Sequence, residues 1–217
     1  MRRRIDYNIG EADLLMARRE FLRREPRDLF YRTATELIRL AIEEQTTISI
    51  SEALGTLLQT WNKSFYRFHG KFDESHFQDL EKAVTQRAEK WRQWRGRSIA
   101  SVRDEEKNDI ADVFTSFETI VGPVGAAKIL HLLSPDFFPL WDRKIATGYS
   151  VSLRKTGKNA PQYLRFIEIT AHQVSGLGST DLPTNGILKL IDEYNYVVIT
   201  KGWLRRGASG QLEVVES

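Results

Sequence analysis

The chain has no cysteine, which excludes disulfides, a cysteine-ligated zinc and an iron–sulfur cluster. It shows no apolar run of membrane-spanning length. Met1, Arg2, Arg3 and Arg4 are basic, but Ile5, Asp6 and Tyr7 follow where a signal peptide would place its apolar core. The expectation is a cytoplasmic protein with no membrane partner. Histidines with metal-ligand spacing are also missing, since His69 and His76 have no partners to complete a site. No cofactor is expected. Nor is there a large excess of charge of one sign: the net charge is +3 and the pI about 9.1. That mild basicity permits a polyanion as partner without requiring one.

What is present is the composition of an ordinary globule, 41% hydrophobic and 28% charged over 217 residues. The length suits one helical domain over residues 1–217, with two lobes sharing a cleft. Apolar residues recur at helical spacing along most of the chain. Residues 10–24 carry Leu14, Leu15, Phe21 and Leu22 among arginines. Phe30, Ala34, Leu37, Ile38 and Ala41 predict a helix from Arg27 to Glu44. After a break at Thr46–Ile48, Ser51 opens a helix through Leu54 and Trp61. The aromatic stretch 62–77 reads as core, and residues 76–95 as one long charged helix. Its end, Lys90–Arg97, interleaves Trp91 and Trp94 with arginines, which fits a nucleic-acid surface or, better, a helix end with both indoles in the core. Ser101 with Asp104 is placed to cap the helix that follows. Helices are predicted over 161–174 and around 187–194, separated by the glycine-rich linker Gly176–Ser179. Val197–Thr200 and Leu212–Val215 are β-prone and predict a short terminal hairpin. The basic turn Ser152–Asn159 lies near a phosphate or, as the default, is a solvated loop.

The chemistry concentrates in residues 117–146. Ile110, Val113, Phe114, Phe117 and Ile120 bury one helix face, and Gly122, Pro123 and Gly125 then stop that helix. A second helix, Ala126–Leu133, follows. Its first-turn amides lack partners inside the helix, and together with the helix dipole they favour an anion such as a phosphate oxygen. Pro135 and Pro139 bracket a loop, after which Leu140 and Trp141 deliver Asp142 to the start of a third helix through Arg143 and Lys144. Asp142 is a plain N-cap or a catalytic carboxylate.

Three pieces together resemble the helix-hairpin-helix DNA glycosylase superfamily, which includes endonuclease III and the adenine and 8-oxoguanine glycosylases. They are Val121-Gly122-Pro123-Val124-Gly125, then Phe138-Pro139-Leu140-Trp141-Asp142, and upstream Ile42-Glu43-Glu44-Gln45-Thr46-Thr47, spanning Gln45 to Asp142 in the family's order. The hairpin exchanges Pro and Gly relative to the usual Leu-Pro-Gly-Val-Gly, and Asp142 follows it about one helical turn early. The family's lyase branch has its lysine where Ala127 stands here. Lys128 is one residue on, about a hundred degrees round the helix, and either faces the site or misses it.

The resemblance implies an all-α fold with a central helix-hairpin-helix at about 108–134 and a monomer acting on double-stranded DNA, nucleoid-associated if prokaryotic. The implied activity is base-excision repair by hydrolysis of the N-glycosidic bond of a flipped base. Its sites would be Asp142 as the catalytic carboxylate that stabilises charge on the sugar and orients the attacking water, with Lys128 for a lyase step that the strict motif disfavours. Gly122, Val124, Gly125, Ala126, Gln45, Arg143 and Lys144 would contact DNA, and Trp141, Trp61 and Tyr66 would line the base pocket. Two other readings stay open: a non-catalytic DNA-binding accessory protein, and a helical interaction protein for which the glycine-proline turn is only a connection.

Overall fold

Side chains that satisfy the free amides at helix starts fix several of the element boundaries. The structure, a computed structural model, describes residues 8–68, 70–178, 182 and 186–215. The basic stretch Met1–Tyr7, His69 and Ser179 of the expected linker lie outside them. Ten α-helices and one antiparallel hairpin occur among the described residues, so the fold is all-α with a small C-terminal hairpin.

Helix α1 is Glu11–Arg24 and α2 is Leu29–Ile42. Ser49 caps α3, Ile50–Trp61, by a reciprocal box: its hydroxyl accepts from Glu52 N at 3.2 Å while Glu52 accepts from Ser49 N at 2.7 Å. The short α4 is Lys63–Phe68. Where one helix is expected over 76–95, two form: α5, Glu74–Gln86, and α6, Ala88–Trp94, joined at Arg87. The break turns both indoles inward. Trp91 donates to Val84 O at 3.1 Å and Trp94 to Glu106 Oε1 at 3.1 Å, and both rings are completely buried, which removes them from any nucleic-acid surface. The expected cap by Ser101 and Asp104 is replaced by Glu106, which reaches back to Arg103 N at 3.0 Å.

The central element is α7, Lys107–Leu133, in which Gly122 alone leaves helical geometry, at φ 72° and ψ 171°. The second leg therefore begins at Pro123, not Ala126, because proline at a first-turn position loses no needed hydrogen bond. The stretch Asp104–Leu133 is long and apolar enough to cross a membrane, contrary to the reading of the sequence. Its apolarity is that of a core helix: after the kink, residues 125–127 and 129–133 are all buried, as expected of a helix covered on every side.

Beyond it come α8, Arg143–Gly148, α9, Ala160–Gly176, and α10, Ile187–Asn195. Val197–Thr200, expected as a strand, falls instead in a π-turn, Tyr196–Thr200, that continues α10 and is closed by Lys201 N to Tyr196 O at 2.8 Å. Packing overrides its β-branched bias, since Val197 is buried in the core. The hairpin pairs β1, Leu204–Arg206, with β2, Leu212–Val214, placing Arg205 opposite Glu213. Helices α2, α3 and α5 pack together, and α1 packs on α10 and the π-turn. Helix α7 touches α2, α5, α6 and α9, and one continuous apolar core runs through all of these.

Candidate active site

The second leg of α7, the start of α8 and the outer turns of α10 bring ionisable side chains together at one place. Trp141 builds the approach to Asp142. Its indole donates to Pro123 O at 3.0 Å, and its rings meet Phe114, Tyr163 and Phe166 at 6.0, 5.0 and 5.8 Å. Only 1% of Trp141 is exposed. The expectation that it stacks on a base is thus corrected: the indole ties the proline-bracketed strap to the hairpin from within the core.

Asp142 caps α8, with Oδ1 accepting from Ile145 N at 2.7 Å, and its Oδ2 accepts from Thr200 Oγ1 at 3.1 Å. It is half-buried. Beside it, Arg143 and Lys144 are exposed, and Lys144 donates to Thr200 O at 2.8 Å.

Lys128 faces this group. Its amine donates to Trp61 O and lies 4.8 Å from the Trp61 ring centre. Burial pushes its pKa down to about 8, because a desolvated ammonium is disfavoured, while the negative charges of Asp192 and Asp142 pull the other way. Asp192, on α10, was not singled out in the sequence. Burial raises its carboxyl to about 6; Lys189 and Lys128 lower it, while Glu193 and Asp142 add to the rise. Among the described residues its side chain makes no hydrogen bond or ion pair. An amine and two carboxylates from three elements thus share one field.

A neutral pair forms the wall beside them. His131, one turn after Lys128, is completely buried. Its Nδ1 lies 2.8 Å from Phe138 O, and since a carbonyl only accepts, that nitrogen carries the proton. Burial holds the ring's pKa near 4, so His131 stays neutral, and Nε2 accepts from the Tyr31 hydroxyl at 2.9 Å. Tyr31 stands edge-on to Trp61 at 6.5 Å. Lys189 lies 4.3 Å from the Tyr31 ring centre and pairs with Asp28 at 3.0 Å and Glu193 at 3.6 Å. Arg18 pairs with Glu193 at 3.0 Å.

The hairpin is held by the other side of the molecule. Asn62 Nδ2 donates to Val121 O at 2.9 Å. A Cβ on Gly122 would stand 2.9 Å from the Phe65 ring, and one on Gly125 would stand 2.6 Å from Asn62 Nδ2. Gly122, Gly125 and Ala126 are buried, so the partly exposed edge of the expected clamp is Pro123 and Val124. Pro123 has no N–H to offer, which narrows the clamp further.

Two expected residues sit apart. Gln45 is exposed at the α2–α3 corner, its Oε1 accepting from Arg39 at 3.4 Å. It lies beyond the opposite end of α3 from Trp61, a helix of 12 residues and so about 18 Å long. Tyr66 bonds His76 Nε2 at 2.9 Å and packs on Phe65 and Phe72, in an aromatic nest behind the hairpin, not at the base pocket. A depression of about 530 Å³ between α5 and α7 involves Lys71, Asp73, His76, Asp79 and Lys82; Asp142, Lys128 and Asp192 do not line it.

The signals for the missed residues were weak for a physical reason. Asp192 and Lys189 carry no motif in the sequence, and only the packing of α10 on α1 and the π-turn, with Lys189 reaching Tyr31 and Asp28, withdraws them from water. Compared with known proteins, the chain matches no family model, no curated protein and no solved structure.

Proposed function

We propose that the protein is a DNA N-glycosylase that attacks the sugar through Lys128 and breaks the bond to a flipped, damaged or mismatched base. The reading rests on one observation: the buried Lys128 amine, its pKa lowered to about 8, shares a partly buried site with Asp142 at the start of α8 and Asp192 within α10. At pH 7 about a tenth of such amines are neutral, roughly 300-fold more than for an ordinary lysine. The neutral amine attacks C1′ as the glycosidic bond breaks. The departing base takes its proton from the protonated carboxyl of Asp192, and the sugar ring opens to a Schiff base on Lys128. Asp142, whose oxygens accept from Ile145 N and Thr200 Oγ1, stabilises positive charge on the sugar. Trp61 lies against the amine, so the substrate displaces this contact on entry.

The test is incubation with duplexes carrying a panel of damaged, mismatched and abasic positions, with borohydride to reduce any Schiff base. Wild type should release base and become covalently attached to DNA. Lys128→Gln should abolish the attachment, and Asp192→Asn should slow base release by about 10²–10⁴. The pH profile should be flat between about 6 and 8, set by the Asp192 and Lys128 values, falling on the acid side as the amine is protonated and on the alkaline side as the carboxyl ionises. Failure to release any base or to trap any complex would leave the second reading, a DNA-binding accessory protein. The observation favouring that alternative is that both Asp142 oxygens are already engaged.

A further inference from the structure

We infer that the depression at the far end of α8 binds backbone phosphates of duplex DNA, a site that the hairpin and the Lys128 cluster do not include. The inference takes from the reading above only that the ligand is a duplex. The depression, about 370 Å³, is lined by Ser150, Ser152, Arg154, Pro161, Gln162 and Arg165 together with Val151 and Leu153. None of these is acidic. Arg165 makes no hydrogen bond or ion pair among the described residues, and neither Arg154 nor the adjoining Lys155 and Lys158 pairs with a carboxylate among them. Two cations, Arg154 and Arg165, therefore line one concavity without a counterion among the described residues, with Lys155 and Lys158 on the adjoining loop, the electrostatics of an anion site. The depression between α5 and α7 is the contrast, because its Lys71 and Lys82 are offset by Asp73 and Asp79.

The site is also built in advance. Gln162, in the amide orientation that satisfies both its atoms, accepts from Arg154 Nε at 3.0 Å and Nη2 at 3.2 Å and donates to Lys158 O at 3.1 Å. The loop carrying these cations wraps Asn159, whose Oδ1 accepts from Arg154 N at 2.6 Å and whose Nδ2 donates to Arg154 O at 3.2 Å and Lys155 O at 3.1 Å. Asn159 is anchored in turn to Glu118 of α7, donating from N at 3.3 Å and from Nδ2 at 2.5 Å. Glu118 is completely buried. A buried carboxylate in the central helix thus fixes a surface loop, which lowers the ordering cost of binding. Planar guanidinium groups suit phosphate oxygens, and the two serine hydroxyls add donors.

Position favours a duplex over a free phosphate. Helix α8 has six residues, so about 9 Å separates its Asp142 end from this depression, roughly three nucleotides along one strand. A strand presenting one nucleotide to Lys128 would pass its neighbouring phosphates over Arg154 and Arg165.

The experiment is duplex binding as a function of salt for the full chain, comparing wild type with Arg154→Gln/Arg165→Gln and with the control Lys71→Gln/Lys82→Gln. The arginine pair should reduce the slope of log affinity against log salt by about 2, as expected for two lost phosphate contacts, and the control should leave it unchanged. Between 50 and 200 mM salt the wild type would then lose about tenfold more affinity than the arginine variant. An unchanged slope, or no duplex binding by wild type, overturns the inference. So does inorganic phosphate at micromolar concentration displacing the duplex from wild type but not from the arginine variant, which would mark a small-molecule site. Base release reads the other proposal separately: Lys128→Gln should stop it without moving the slope, and the arginine variant should retain it at saturating duplex.

Discussion

Individual side chains here carry strain or charge that ordinary packing would not select. Ser150 ends α8 at φ 58°. Val151 N bonds Ala146 O at 2.9 Å and Ser150 N bonds Thr147 O at 3.1 Å, a helix stop whose left-handed position normally takes glycine. Ser150→Gly should stabilise the protein by about 1 kcal/mol, raising the melting temperature by about 2–4 °C; no rise would show that the serine is unstrained. Asp192 gives a pH prediction. Its folded pKa, about 6, lies above the ordinary 3.8, so the native state binds this proton more tightly than the unfolded chain does. The ionised group therefore weakens folding at pH 7, and that loss is recovered as pH falls through 6 toward 4. Asp192→Asn should stabilise by about 1–3 kcal/mol at pH 7 and by nothing near pH 4, measured by urea unfolding at both values. A gain that persists at pH 4 would have a cause other than charge.

At the scale of elements, the kink of α7 decides where Lys128 points. Gly122 is required twice over, by its positive φ and by the Phe65 ring on its Cα. Gly122→Ala should cost about 2–4 kcal/mol, visible in denaturant midpoints. Asn62→Ala would leave Val121 O without its buried donor, at a cost of about 1–3 kcal/mol, and rotate the second leg. Any base release by that variant should fall more than its stability does; if the two decline in parallel, the hairpin serves only folding. The hairpin glycines were legible from sequence because φ and sterics are local properties. Their function as a clamp was less so, since Asn62 and Phe65, from elements some sixty residues away, cover them.

For the whole molecule, the core is continuous from α1 through α7 to the terminal hairpin. Thermal unfolding should therefore be one cooperative transition by both near- and far-UV circular dichroism. Separate transitions would mean that the α2–α5 group and the α1–α10 group fold independently. The interfaces that make the candidate site are among these long-range contacts: Tyr31 of α2 bonds His131 of α7, and Lys189 of α10 reaches Asp28 before α2.

By itself the sequence determined most of the helices, the turn at Gly122, the cap at Asp142 and the absence of cysteine chemistry, because periodicity, backbone angles and capping depend on neighbours in the chain. It also placed a short β-hairpin at the end, though not the π-turn that takes the first β-prone segment. Which residues of the candidate site are withdrawn from water was decided by tertiary structure. Trp141 was assigned to a base and belongs to the core; Asp192 was not singled out and lies within the electrostatic reach of Lys128. Desolvation is a property of the space between elements, and that space exists only once α10 has packed on α1 and the π-turn.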